Sequence, residues 1–382
     1  MRDTELYLTI LKCALNGVPF QAEEPVDPAR LWEFSRMHTI TATLAPTVLE
    51  AGVLTDAADI AIWSEALHKN IRKTMMFDVE RENLYREFEK NAIWYAPLKG
   101  IIINHLFPEY GIREFMDNDI LIDGEAVDKV LEVMESLGYR TSSHKTDIHY
   151  TFLKPPLMDF ELHFRLFGKM GRYEAFFDYF DDIKSKLVPS GNGKYGYTMT
   201  DNDSYLFFMA HAYKHYSGAG TGFKMLADVY VCRNRMNYDR EYVNAELKKL
   251  KILDFAETIE SLAQKLFSGE GRVSFDVLNE KERFMLSQMV DDGTFGRYER
   301  IVEAQFKEYV VGSGNRSKAG YFKSRLFPNI EDYRNKYPFI YRHKLLRPAF
   351  YVVRPLKALK TKRKLVFSEM KTIAKLTGED KE

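Results

Sequence analysis

Residues 1 to about 92 read as helical, most clearly where apolar side chains recur at three- and four-residue steps, the period of one helix face. Asp27-Pro28 predicts a helix start, because Asp can accept from free N–H groups and Pro tolerates the first helical position. From Thr55 the stripe runs through Ile60, Trp63, Leu67 and Ile71, and Leu84 and Phe88 carry it through the charged run DVERENLYREFEK. At Ile93 the pattern changes. IWYAPLK is short, apolar and β-prone, and Gly100 then opens the segment IIINHLF, which reads as strand, tight turn and helix. DNDILI predicts a second strand. Gly124 and Glu125 begin an amphipathic helix through Leu137, with Gly138 as its stop.

Tyr139 to Lys154 holds one or two strands, and Pro155-Pro156 breaks the run. MDFELHFRLF is the clearest strand: Asp159, Glu161, His163 and Arg165 alternate with Phe160, Leu162, Phe164 and Leu166. One face is polar and the other apolar, as in a half-buried strand. From about Thr200 the helical period returns. Asp201 or Asp203 is placed to cap SYLFFMAHAYKHY, GFKMLADVYVCRNRM predicts the next helix, and more helices run to roughly residue 310. Gly312 to Gly320, GSGNRSKAG, has the composition of a linker. The fold class these elements predict is α+β, a small mixed sheet flanked by N-terminal and C-terminal helical regions. Its divisions fall at 1–92, 93–167, 168–311 and 312–382.

Composition changes this picture little. Hydrophobic residues make up 45% and charged residues 29%, ample for a core without a metal or disulfide staple. Cys13 and Cys232 lie far apart with no ligand spacing, which predicts free thiols in a reducing compartment. The start, MRDTELYLTILKCALNG, lacks the unbroken apolar run of a signal peptide, and no stretch is long enough to span a bilayer. A cytoplasmic protein is expected. Formal net charge is zero, which argues against nucleic acid as the partner. One asymmetry stands out: between Tyr341 and Lys364 the charged residues are Arg342, Lys344, Arg347, Arg354, Lys357, Lys360, Lys362, Arg363 and Lys364, with no acid among them.

The chemistry centres on Asp117-Asn118-Asp119. Two aspartates at i and i+2 on a strand point the same way and repel unless a cation sits between them. Mg²⁺ prefers hard oxygen ligands shared with substrate phosphates. A third carboxylate on a neighbouring strand would let two ions sit roughly 3.5–4 Å apart, and Glu161 is the best candidate. Many surface turns contain the same Asp-x-Asp pattern; the strand-Gly-helix unit before it and the acid-bearing strand after it are what favour a metal site here.

PLKGIIINHLFPEYGIREFMDNDILID resembles the core of the uncharacterised bacterial nucleotidyltransferase family, whose members carry LKG, an Arg before the acids, and DxDxLV. FELHFRL is similar to that family's (D/E)LHW segment, HAYKH and LAD to its helical half, and PFIYRHKLLRPAFYVVRP to its C-terminal signature. The resemblance implies a DNA polymerase β-like nucleotidyltransferase core at 93–167 and a helical domain at 168–311 that closes the cleft. It implies Asp117, Asp119 and Glu161 as catalytic metal ligands for two Mg²⁺ ions, with Mn²⁺ as a substitute. Gly100 would let backbone approach the triphosphate, while Lys99 and Arg113 would neutralise phosphate charge. The implied reaction moves an NMP from a nucleoside triphosphate such as ATP to a hydroxyl of a small molecule, glycan or protein, releasing pyrophosphate. Rival readings are transfer of a phosphodiester-linked group such as phosphocholine onto glycans, and a nucleotide-binding protein without turnover. Two departures are visible. Ile101 follows Gly100 where the wider superfamily has Gly or Ser, and Phe164 replaces the family's Trp.

Weaker signals stay open. His211 and His215, at i and i+4, have the spacing of a zinc pair but lack a third ligand in the sequence. With Lys214 and Asp228 they either contact base or acceptor, or pack. His163 either tunes the acids beside it or hydrogen-bonds within that face. The basic run at 341–364 interleaves Leu345, Leu346, Phe350, Tyr351, Val352 and Val353. It fits either a peripheral membrane or polyanion contact, or a helix packed on acidic parts of the same protein.

Overall fold

The sequence folds first into four helices, and the computed structural model describes them within residues 2–115, 117–142, 148–169, 173–314, 317–327, 338–361 and 363–375. They are α1 (Arg2–Asn16), α2 (Pro28–Met37), α3 (Thr41–Glu50) and α4 (Ala57–Lys90). Asp27 caps α2 as expected, its carboxylate accepting from the N–H groups of Ala29 and Arg30. On α4, Trp63, Phe77, Leu84 and Phe88 are buried, Leu67 and Ile71 are half-buried, and Ile60, read as part of the stripe, is exposed near the helix start.

Next come β1 (Tyr95–Pro97), α5 (Lys99–Asn104), β2 (Asn118–Ile122), α6 (Val127–Ser136), β3 (Arg140–Thr141), β4 (His149–Lys154) and β5 (Met158–His163). α6 begins three residues after Gly124 because Asp123 ties up the preceding turn, accepting from the N–H groups of Glu125 and Ala126. Gly138, at φ 81°, ends it as expected. The five strands form one mixed sheet in the order β1-β2-β5-β4-β3, in which only the β2–β5 pair is parallel. In that pair Asp119 lies opposite Glu161.

The alternation seen in the sequence divides the sheet's faces. Ile120, Ile122, Met158, Phe160 and Leu162 join Phe77, Leu84 and Phe88 of α4 and Val130 and Met134 of α6 in one apolar core. Each such side chain contributes roughly 1.5–3 kcal/mol by leaving water. Asp119, Glu161 and His163 take the other face. β5 is shorter than its alternating pattern. The N–H groups of Phe164 and Arg165 both turn to the carbonyl of Ile148, so the chain leaves the sheet after His163. Arg165 is exposed over the Phe177 ring, and Leu166 joins the helical core instead.

The helical part contains α7 (Glu174–Phe180), a two-stranded β6 (Val188–Pro189) and β7 (Tyr197–Thr198) that the sequence reading missed, and then α8 (Asp201–Ser217), α9 (Phe223–Arg235), α10 (Arg240–Lys249), α11 (Leu253–Phe267) and α12 (Glu280–Asp292). Neither aspartate suggested as cap fills that role on α8. The Thr200 hydroxyl accepts from the Asp203 N–H, and Asp201 accepts from the N–H of Asn237. The described residues divide into two compact units, Met1–Tyr216 with Gly220–Phe295, and Ser217–Ala219 with Gly296–Glu382. The second unit holds α13 (Tyr298–Ser313), α14 (Lys318–Leu326), α15 (Pro338–Arg342), α16 (Arg347–Thr361) and α17 (Arg363–Lys375). Its core centres on Val302, Tyr321 and Ile373. Leu345, Val352 and Leu356 of the basic run are exposed, and Lys362 lies outside the described residues. Cys13 and Cys232 are free thiols, and among the described residues no helix is long and apolar enough to cross a membrane.

A buried ion pair ties the loop before β2 to α9. Arg113 Nε donates to Asp228 Oδ1 at 2.7 Å and Nη2 to Oδ2 at 2.9 Å, while Lys224 Nζ reaches Oδ2 at 3.3 Å. Burial alone would raise the Asp228 carboxyl, but Arg113 and Lys224 outweigh it and hold it below the usual range. Asp228→Ala leaves two buried cations uncompensated and is expected to cost about 3–5 kcal/mol, read as a lowered urea midpoint. A shift under about 1 kcal/mol would mean the pair is dispensable. Because the folded carboxyl is depressed, its contribution is present above the unfolded value of about 3.9 and lost as pH falls below it. Wild type should therefore lose more stability than the Ala variant on acidification.

Candidate active site

Strand alternation and the parallel β2–β5 register bring the three predicted carboxylates together. One oxygen from each of Asp117, Asp119 and Glu161 lies within 4.8 Å of the others. Asp117 sits one residue before β2 and shares the face of Asp119, as its i, i+2 spacing requires. These acids line a cavity of about 410 Å³ together with Lys99, Gly100, Arg113, His163, His211, Lys214, His215 and Asp228. Every residue singled out from the sequence therefore reaches one cavity. α5 supplies Lys99 and Gly100, and α8 and α9 supply the opposing helical residues.

Two cationic groups hold the most buried of the three clustered acids. Asp119 Oδ1 lies 2.9 Å from His163 Nε2, and its Oδ2 lies 3.2 Å from Lys99 Nζ. Burial would raise this carboxyl, yet Lys99 and the His163 hydrogen bond outweigh it and hold Asp119 well below the carboxylate range. Burial and the charge of Asp119 push Asp117 up to about 6; the charges of Lys99 and Lys224 favour its ionised form but are outweighed. Glu161, with His163 Nε2 at 3.5 Å and His149 Nε2 at 3.7 Å, is held below its ordinary value chiefly by His163. His163 itself is raised: burial opposes its charge, but Asp119 and Glu161 prevail.

The helical wall is arranged differently. Lys99 Nζ is 2.8 Å from His211 Nε2, which is 3.1 Å from His215 Nε2. Burial, then Lys99, holds His211 well below its ordinary value and His215 down to about 4, so both imidazoles are neutral at neutral pH. Among the described residues no third ligand joins that pair in a metal-binding group. Arg113 is turned toward Asp228, and its Nη1 donates to the Gly100 carbonyl at 3.3 Å. Asp228 is saturated by Arg113 and Lys224. Lys214 differs from the other cations: its ammonium has no hydrogen-bond partner among the described residues, and burial lowers its pKa.

Sequence reasoning missed His149, Lys224, Thr39, Thr221, Thr294 and Phe295, all of which line the cavity. Lys224 was accessible in principle, since it precedes Asp228 by four residues on one helix face. His149 was not, because its place depends on β4 pairing with β5, where it lies opposite His163. Asp159, on the polar face of β5, does not line the cavity; one of its oxygens is buried without a hydrogen-bond partner among the described residues.

No curated protein and no solved structure matches the chain. The family described as "uncharacterised nucleotidyltransferase" matches residues 24–268, which runs from the turn before α2 to the end of α11. That span exceeds half of the chain's 382 residues and contains the acids, the cations and the histidines of the cavity, so the protein belongs to this nucleotidyltransferase family.

Proposed function

We propose that the protein transfers a nucleoside monophosphate from a nucleoside triphosphate to a hydroxyl-bearing acceptor, with Mg²⁺ held by Asp117, Asp119 and Glu161. The convergence of these three carboxylates within 4.8 Å, in a cavity that also presents Lys99, Lys214 and Lys224, carries the reading. The donor set fits: three carboxylates suit Mg²⁺ or Mn²⁺, and Asp117, raised by burial beside Asp119, is a carboxylate that a divalent ion would stabilise in its charged form. Bound there, the metal would offset phosphate charge and polarise the reacting phosphate.

The chain's own groups do the rest. Lys214 is the cation best placed to meet phosphate oxygens, whereas Arg113 and Lys224 both meet Asp228. A Cβ at Gly100 would meet only Arg113 Nη1, at 3.8 Å, so protein packing does not demand glycine there and the bare backbone is left for a ligand. Glu161, kept ionised by His163, is suited to take the acceptor's proton. The acceptor oxygen bonds to the α-phosphorus, the bridge to the β-phosphate breaks, and pyrophosphate leaves. Positioning and fixed charge supply most of the rate.

Calorimetric titration of each NTP with Mg²⁺ tests this reading. Wild type should bind at least one NTP only when metal is present, and Asp117→Asn/Asp119→Asn should not bind. Absence of binding in wild type, or equal binding by a folded double variant, would reject the carboxylate site. Lys214→Ala should weaken NTP binding roughly ten- to a hundredfold, the loss of one charge-assisted hydrogen bond, with an unchanged melting temperature. Unaltered affinity would remove Lys214 from the site. Because Asp117 is raised to about 6, Mg²⁺ must displace a proton below that pH. Mg²⁺ affinity should fall about tenfold per pH unit below 6 and level off above it; a flat profile from pH 5 to 7 would contradict the role of Asp117.

A further inference from the structure

Three lining residues of the cavity carry neutral hydroxyls without a hydrogen-bond partner among the described residues. They are Thr39, in the loop after α2, Thr221, before α9, and Thr294, after α12. Their loops interlock. Thr294 N donates to the Met37 carbonyl at 3.0 Å, and Phe223 N donates to His38 Nδ1 at 3.3 Å. A Cβ on Gly222 would lie 2.6 Å from His38 Nδ1 and 2.9 Å from Thr294 N, so only glycine lets these segments meet. Thr39 itself has φ 51°, a conformation that β-branched residues rarely adopt.

The hydroxyls themselves point to a missing partner. Thr221 is 3% exposed and lines the cavity, yet its hydroxyl makes no hydrogen bond among the described residues. Thr294 Oγ1 is likewise buried without one. Buried polar groups in native proteins are nearly always satisfied. Beside Thr294, the ring of Phe295 is 66% exposed and lines the same cavity. Thr294 and Phe295 fall outside the family match at 24–268, so this feature is drawn from the present chain alone.

We infer that Thr39, Thr221, Thr294 and Phe295 form a subsite for a neutral sugar ring. Threonine hydroxyls both donate and accept, which matches the ring hydroxyls of a sugar. Phe295 offers a flat apolar surface without a polar tip for the sugar's C–H face. A phosphate would be drawn instead to the lysines, and a charged amine or carboxylate finds no opposite charge on these four side chains. Which sugar is bound rests on the nucleotidyl-transfer reading: it is the ribose of the nucleotide or a saccharide acceptor, and both present this chemistry.

The test uses the full chain and the variants Thr221→Val, Thr294→Val and Phe295→Ala. Saturation-transfer NMR with glucose, galactose, N-acetylglucosamine and ribose is combined with calorimetry of MgATP and MgdATP. Each Val variant should weaken sugar contact about tenfold, the effect of one neutral hydrogen bond, with an unchanged melting temperature. Loss of a preference for ATP over dATP identifies the ribose. Loss of a free-saccharide signal with MgATP binding intact identifies an acceptor. The inference is overturned if wild type shows neither sugar contact nor a ribose preference, or if the variants bind every probe as wild type does. It is also overturned if Thr221→Val lowers the melting temperature by several degrees, since the hydroxyl would then have a protein partner. Metal-dependent NTP binding without any effect of these variants sinks the subsite and leaves nucleotidyl transfer standing. Saccharide contact without NTP binding does the reverse.

Discussion

The parallel pairing of β2 with β5 sets Asp119 beside Glu161 on one face of the sheet, and Asp117 follows by strand alternation. Three carboxylates gathered this closely repel one another and lose much of their hydration. The surrounding side chains answer that problem. Lys99 and His163 compensate Asp119, and His163 and His149 flank Glu161. Asp117, the least compensated, shifts toward its neutral form. Of the three acids Asp117 therefore gives up its proton least readily.

The opposite face of the sheet makes this arrangement affordable. Phe160, Leu162, Ile120 and Ile122 are fully buried against α4 and α6, and that apolar contact fixes strand order and register. A shift of one residue would send these side chains into the cavity and the acids into the core. Hydrophobic packing on one side thus determines carboxylate placement on the other. Arg113 with Asp228 extends the same rigidity to α9. α9 is thus tied to the loop before β2 by a desolvated ion pair, while apolar side chains of both α8 and α9 pack in the helical core.

Much of this was legible in the sequence because it is local. Alternation in MDFELHF identified the half-buried strand, the i, i+2 aspartates identified a common direction, and Asp27-Pro28 identified a helix start. Local pattern also misled. The alternation runs on through Arg165 and Leu166, but the strand stops at His163 because the Ile148 carbonyl captures the next two N–H groups. β6 and β7 are two residues each, too short to carry a period.

The sequence by itself determined the helix-sheet-helix order, the paired acids and the third acid's face, since each depends on neighbours within a few positions. Only the tertiary structure decided that Asp228 faces Arg113, that His149 lies opposite His163, and that three threonines from separate loops meet around Gly222. Those contacts join residues far apart in the chain. Their register is chosen by the packing of whole faces and by close backbone approach, neither of which leaves a periodic trace in the sequence.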